Sequence, residues 1–203
     1  MDQQTIASGI DYLCQVDPDL QQAVALLGPP APRLRPAGFE TFLSTIVSQQ
    51  LSTEVARAIM TRVRALLPDL TPQALLQLDR EALRGAGLSY RKVEYAQGLA
   101  AAIQSGDFLP DQLPALSDQA AIDAITRLRG FGRWSAEIYL MFSLRREDIF
   151  PADDLALQVA LGRLKGLEQR PRPALARELT AHWAPWRSVG SLFLWHYYRG
   201  APN

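Results

Sequence analysis

The stretch LRGFGRWSAEIYLMFSLRREDIFPADDLALQ, Leu128 to Gln158, decides how the rest of the chain is read. It contains the end of one helix, a hairpin Gly130-Phe131-Gly132, an almost wholly apolar helix, a Pro-bearing loop and a helix opening at an acidic pair. Two glycines around one apolar residue are expected to turn the backbone tightly and reach positive φ without a Cβ clash. They are also expected to leave the N–H groups at the start of the following helix open to a phosphate, with the helix dipole favouring the negative charge. Phe131 reads as a knob that pins the hairpin into its own domain, while the small Ser135 and Ala136 allow the second helix to pack closely on the first. Such a unit grips a nucleic-acid backbone without reading base sequence. An ordinary helix–turn–helix corner uses the same Gly-x-Gly, so a second signal is needed.

That signal is the pair Asp153-Asp154. Trp134 and Asp154 are separated by twenty positions. LRGFGRWSA followed by FPADD resembles the signature of the helix-hairpin-helix (HhH-GPD) DNA glycosylase superfamily, and within it the alkylbase branch, 3-methyladenine DNA glycosylase II. The similarity extends to FETFLSTIVSQQLS near the start and APWRSVGSLFLWHYY near the end, covering most of the chain from about Phe39.

Composition bounds the alternatives. A chain of 203 residues buries one sizeable core or two closely joined lobes. Hydrophobic content of 48% with 21% charged residues is that of a globular protein. The N-terminus lacks the basic and apolar regions of an export signal, and IYLMFSL is too short to span a membrane. The expected location is the cytoplasm, nucleoid-associated if bacterial, and no membrane partner is expected. One cysteine, Cys14, excludes an internal disulfide and any multi-cysteine metal site, including the four-cysteine iron–sulfur cluster common in relatives that act on oxidised bases. Formal net charge is zero, but its distribution is uneven. Residues 1–126 hold nine Lys/Arg against fourteen Asp/Glu, whereas residues 127–203, which include the hairpin, hold twelve against seven. Nineteen of the basic residues are Arg, which suits phosphate forks and equally reflects a codon bias toward Arg.

Taken in order, Gln4 to Leu27 reads as two short helices divided at Asp17-Pro18, carrying little chemistry. Gly28 to Gly38 holds four prolines and reads as a linker. Phe39, Phe42, Leu43, Ile46 and Val47 follow helical spacing up to about Ser48-Gln49-Gln50. Ser52 or Thr53 caps the next helix, whose expected buried stripe is Val55, Ile59, Val63 and Leu66. Thr71-Pro72 and Asp79 start two further short helices. Leu83 to Gly87 echoes the later hairpin and reads either as a second hairpin or as a glycine C-cap. A helix from Tyr90 to Gln104, a loop bounded by Pro110 and Pro114, and a helix from Ser117 to Leu128 lead into the hairpin. No stretch alternates as a strand does, so the fold reads as all-α. The expected organisation is a six-helix lobe over about 39–146 and a second lobe from 1–37 plus 149–203, with the active-site cleft between them.

The resemblance implies a function and a set of residues. Breaking the bond between a base nitrogen and C1′ builds positive charge on the sugar, which a fixed carboxylate stabilises. The register of the signature makes Asp154 that carboxylate; the ordinary alternative for both Asp153 and Asp154 is a helix N-cap. Trp134 stands where backbone-cutting relatives carry a Schiff-base lysine, which implies a monofunctional enzyme that uses water. Trp134 and Trp195 match pocket aromatics whose electron-rich faces attract cationic alkylated bases; Trp195 also suits a core position. Ile138 stands where one well-known relative carries an aromatic.

A flipped base leaves a hole in the duplex. IVSQQLS resembles the family's wedge loop, with Gln50 at the plug position and Leu51 and Ser52 beside it in the minor groove; a helix-end role for Gln50 is the alternative. Gly130, Phe131, Gly132, Arg133 and Ser135 are then the backbone-gripping set. Arg187 braces the lobes or meets a phosphate. His182 and His196 have no metal-like partners and read as structural. The partner implied is double-stranded DNA containing alkylated bases, met by a monomer with no resident cofactor or metal. The resemblance leaves room for a monovalent cation at the hairpin carbonyls when DNA is bound. The rival reading is a non-catalytic helix-hairpin-helix DNA-binding module; a lyase acting on oxidised bases is disfavoured by Trp134 and the single cysteine.

Overall fold

Side-chain caps set most of the helix starts. Asp2 accepts the Thr5 N–H, Asp17 the Leu20 N–H, Ser52 the Val55 N–H, Thr71 the Ala74 N–H, Ser89 the Lys92 N–H and Ser117 the Ala120 N–H. The computed structural model describes residues 1–67 and 69–200. Its helices are α1 (Gln3–Val16), α2 (Pro18–Leu27), α3 (Phe39–Ser48), α4 (Thr53–Leu66), α5 (Pro72–Gln77), α6 (Arg80–Gly85), α7 (Tyr90–Ser105), α8 (Asp118–Thr126), α9 (Arg133–Phe142), α10 (Leu155–Leu164), α11 (Pro173–Leu179) and α12 (Arg187–Gly200). The described residues include no β-strand, in keeping with the all-α reading, and no helix long and apolar enough to cross a membrane. Pro110 and Pro114 lie in a 3-10 turn, Pro110–Ala115, where an irregular loop is expected.

Two compact units emerge from the packing: residues 35–136, and residues 1–34 with 137–203. The division falls inside α9 and not near Arg146, because Phe142 at the end of α9 meets Trp195 of α12, ring centroids 5.9 Å apart. Within residues 35–136 the core is Leu43, Val47, Ile59, Met60, Val63, Leu75, Leu83 and Val93, with α3, α5 and α6 packed on α7 and α4 packed on α3. The buried face of α4 differs from the expected stripe. Ala56 and Met60 are buried with Ile59 and Val63, whereas Val55 and Leu66 are 46% and 38% exposed. A three- or four-residue period fits both faces, and contact with α3 selects the one with the smaller Ala56.

The echo at residues 83–87 is a glycine C-cap. Gly87 adopts φ 108° and Leu88 N donates to Leu83 O at 3.3 Å, the six-to-one bond of a Schellman ending. The later hairpin places its positive φ at Gly130, which is equivalent in the echo to Gly85, so the two turns differ in backbone.

In the other unit α1, α2, α10 and α12 pack together over Ile6, Leu13, Leu20, Leu157, Leu161, Val189 and Phe193, all fully buried. The junction of α1 and α2 is chemically richer than its sequence indicates. Asp17 is wholly buried, and its carboxylate accepts from Lys165 Nζ at 2.7 Å to each oxygen, from Trp183 Nε1 at 2.7 Å and from Leu20 N at 3.2 Å; His182 Nε2 lies 3.1 Å away. His182 is therefore structural, as read, and His196 Nε2 likewise meets Leu27 O at 3.2 Å. Burial alone pushes the Asp17 carboxyl up, but bonds from Lys165, Trp183 and Leu20 outweigh it and hold the group below its ordinary range. A depressed folded pKa means that the contribution is complete above the unfolded value, about 3.9, and is lost as pH falls through the lower folded value. Asp17→Asn should cost up to about 3–5 kcal/mol at neutral pH, because Lys165 loses its buried partner and keeps only the exposed Asp19, 2.9 Å away. Thermal unfolding followed from pH 7 to pH 2 should show a shallower acid loss in the variant than in the wild type.

Candidate active site and nucleic-acid interface

The hairpin between α8 and α9 is closed by Phe131 N donating to Leu128 O at 3.1 Å, and Gly132 O accepts the first bond of α9 from Ala136 N at 3.1 Å. Its two glycines do different work. Gly130 has φ 93°, and a Cβ added there would lie 2.8 Å from Cε2 and Cγ of Tyr95. Gly132 is not at positive φ, and a Cβ there would meet nothing within 4 Å. The expectation that both glycines serve the turn is thus corrected: only Gly130 is conformationally required, while Gly132 keeps an exposed surface bare. The expectation of an open N–H is also corrected at Gly132, whose N–H donates to Ser135 Oγ at 3.1 Å. Phe131 is buried as expected, edge-on to Phe42 at 5.5 Å, and Phe42 in turn meets Phe108 at 5.2 Å. Arg133 is exposed at the start of α9.

The wedge loop is tied to this hairpin within the same unit. Gln49 Nε2 donates to Gly130 O at 2.7 Å, and Lys92 Nζ donates to Val47 O and Gln49 O at 2.8 Å each. The ammonium therefore caps the last carbonyls of α3, where a cation also suits the helix dipole. Burial pushes the Lys92 ammonium below its ordinary value. Gln50, held at φ 58°, stands in the left-handed region as a non-glycine residue, followed by Leu51, 38% exposed, and by Ser52 at the cap of α4. A cavity of about 390 Å³ is lined by Gln49, Gln50, Lys92, Tyr95, Gly130 and Trp134, among others. The structure thus brings together Gln50, Gly130 and Trp134 from the expected set. It adds Gln49, Lys92 and Tyr95, of which the last two lie three residues apart on one face of α7, a spacing visible in the sequence.

The carboxylate lies in the other unit. Asp154 is the N-cap of α10: its Oδ1 accepts from Leu157 N at 3.0 Å and from Trp195 Nε1 at 3.3 Å. The two roles weighed for this residue are compatible, because capping is what fixes the carboxylate. The loop before it is short and bonded throughout: Ala152 N to Phe150 O, 2.8 Å; Asp154 N to Pro151 O, 2.9 Å; and the buried Gln158 Nε2 to Ala152 O, 2.7 Å. Asp153 is exposed and pairs with Arg177 at 3.4 Å. Trp195 is half-buried, tilted 38° against Phe142, and lines a cavity of about 260 Å³ with Pro30, Pro32, Arg33, Leu192, His196 and Arg199. Trp134 and Trp195 belong to different units, each on a cavity of its own. Ile138 is buried in α9. Arg187 makes a two-pronged pair with Asp148, 2.6 and 2.7 Å, which holds the Asp148 carboxyl below its usual range. Among the described residues no three His, Cys, Asp or Glu side chains are grouped as metal ligands.

Comparison with known proteins places this geometry. The family model described as HhH-GPD superfamily base excision DNA repair protein matches residues 43–185. DNA-3-methyladenine glycosylase 1 of Schizosaccharomyces pombe is 30% identical over 192 residues, 91% of this chain and 84% of that protein. The crystal structure of DNA-3-methyladenine glycosidase from Bacillus halodurans superimposes with a TM-score of 0.83 at 33% identity, covering 94% of this chain and 88% of that one. A Schizosaccharomyces pombe 3-methyladenine DNA glycosylase in complex with abasic DNA superimposes with a TM-score of 0.85 at 28% identity, covering 96% and 98%.

The unequal glycines are open to test by alanine substitution. Gly130→Ala is expected to destabilise by about 2 kcal/mol or more, from the left-handed backbone and the collision with Tyr95. Gly132→Ala is expected to unfold within about 0.5 kcal/mol of wild type. Urea unfolding of both variants reads the difference; equal losses would remove the distinction.

Proposed function

Because the chain belongs to the HhH-GPD superfamily of base excision DNA repair proteins, we propose that it is a monofunctional DNA glycosylase of the 3-methyladenine type, which flips alkylated bases from duplex DNA and hydrolyses their N-glycosidic bonds. The observation that carries this reading is the double anchoring of Asp154, whose Oδ1 is held by a helix N-terminus at 3.0 Å and by an indole at 3.3 Å. A carboxylate fixed in this way need not reorganise when positive charge develops nearby.

The hairpin and wedge loop hold the duplex, with Gln50 in the space that the flipped base vacates. The bond between the base nitrogen and C1′ breaks, and its electron pair leaves with the base. The oxocarbenium-like sugar faces the negative charge of Asp154. Water then adds its hydroxyl to C1′ and gives up its proton to solvent, leaving an abasic site and a free base. A ring-alkylated cationic base departs neutral, so protonation of the leaving group is not required. Trp134 offers no amine at the position of the lyase lysine, which supports hydrolysis without strand cleavage. Trp195 orients Asp154 through its Nε1 and offers its face to the base.

The reading includes a protein that acts as a monomer on cellular DNA without a resident cofactor. A monovalent cation at the hairpin carbonyls when DNA is bound is part of the same reading: Gly130 O and Leu128 O each accept one hydrogen bond, from Gln49 and from Phe131 N, and keep a second lone pair. The chemistry above does not depend on it.

The test is single-turnover excision of a methylated purine from duplex DNA. Asp154→Asn keeps the cap and the fold but removes the charge, and should slow excision by about a hundred- to a thousandfold, or roughly 2.7–4 kcal/mol. Asp153→Asn, which disturbs only an exposed pair with Arg177, should change the rate by less than about threefold. Wild-type protein that binds the duplex and excises nothing would favour a non-catalytic DNA-binding module. Loss of activity in Asp153→Asn alone would move the essential carboxylate by one position.

Binding is tested separately through the hairpin. Gly132→Asp places a carboxylate on the bare surface beside the hairpin and should weaken binding to methylated and unmethylated duplex alike, by about tenfold or more at low salt. Unchanged binding by the folded variant would show that the hairpin does not meet phosphate.

A further inference from the structure

Arg33 lies in the proline-rich segment before α3, a stretch that reads from sequence as a mere linker. Its backbone is paired with Met1: Arg33 N donates to Met1 O at 3.1 Å, and the Met1 amino group donates to Arg33 O at 2.6 Å. The neighbouring prolines, Pro30 and Pro32, restrict the segment further. From this support the guanidinium carbon lies 4.4 Å from the ring centroid of Phe142 and 5.9 Å from that of Trp195. Trp195 is the indole that holds Asp154, so a fixed cation already covers the aromatic pair beside the carboxylate.

We propose that Arg33 is a specificity-determining residue: a built-in competitor for the cation-binding aromatic face, which shifts the balance of excision from cationic toward neutral damaged bases. The inference rests on the glycosylase reading above and refines its substrate class. Aromatic faces attract a guanidinium and a ring-alkylated purinium through the same quadrupole, so the two compete for one surface. A cationic base that approaches this pair also meets like charge at close range, poorly screened inside a site. A neutral base loses far less to Arg33, because its stacking depends on area and polarisability. The cavity that Arg33 and Trp195 share also has Arg199 on its wall, which adds to the positive field there.

The experiment compares two duplexes under single turnover, one containing 7-methylguanine, which is cationic, and one containing hypoxanthine, which is neutral. Arg33→Met retains most of the side-chain length and apolar contact but removes the charge. It should raise the ratio of 7-methylguanine to hypoxanthine excision about tenfold over wild type, the scale of one partly buried cation–π contact. Arg33→Lys keeps a cation in place and should hold the ratio within about threefold of wild type. The ratio is taken within one preparation, so partial loss of folded protein lowers both rates and leaves it unmoved. An unchanged ratio in Arg33→Met, or one that moves against the cationic base, overturns the role of Arg33. Wild type that excises neither base overturns the role of Arg33, and wild type that also leaves 3-methyladenine in place overturns the glycosylase reading itself, a separate result.

Discussion

The absence of one Cβ, at Gly130, is the constraint around which the unit of residues 35–136 is built. Without it the hairpin backbone lies directly on the Tyr95 ring, at a φ that other residues rarely adopt. That placement brings Gly130 O within 2.7 Å of the Gln49 amide, whose own carbonyl is held by Lys92. Two segments separated by some eighty residues thereby become parts of one bonded unit. Phe131 completes the arrangement from below by filling the space between Phe42 and the hairpin. A hairpin with a side chain at position 130 would have to rise off Tyr95 and lose these bonds together.

The other unit fixes the partly exposed carboxylate of Asp154. Asp154 spends one oxygen on a helix N-terminus and an indole, an arrangement that sets its orientation before any substrate arrives. Asp17 shows the opposite treatment. It is fully buried and enclosed by Lys165, Trp183, the Leu20 N–H and His182, so its charge serves packing alone. The two aspartates each stand at a helix start and differ in burial: Asp17 is wholly enclosed in an ion pair, whereas Asp154 is partly exposed.

Aromatic surface near Asp154 is likewise put to more than one use. Trp195 donates a hydrogen bond, packs on Phe142 and shares with it the guanidinium of Arg33. On the proposed role of Arg33, recognition of a cationic base starts from an occupied surface, and affinity is a difference between two cations.

Much of this was legible in the residues themselves. Caps at Asp17, Ser52, Thr71, Ser89 and Ser117 mark helix starts because a short polar side chain satisfies a local N–H, an interaction within three residues. The hairpin, the acidic pair and the wedge loop are contiguous motifs, and the family they resemble is the family the chain belongs to. What the chain could not disclose depends on contacts distant in sequence. Only packing chose the Ala56 and Met60 face of α4, because 3.6-residue periodicity fits neighbouring stripes almost equally. Only the position of Tyr95 separated Gly130 from Gly132, since both glycines are identical in composition and differ in what stands opposite. Asp17 read as a mere break between helices, Arg33 as part of a linker and Lys92 not at all, and each acquired its role from a partner 45 to 162 residues away. Local hydrogen bonding is written in sequence order; charge placed by burial and by aromatic faces is decided only when the chain has folded.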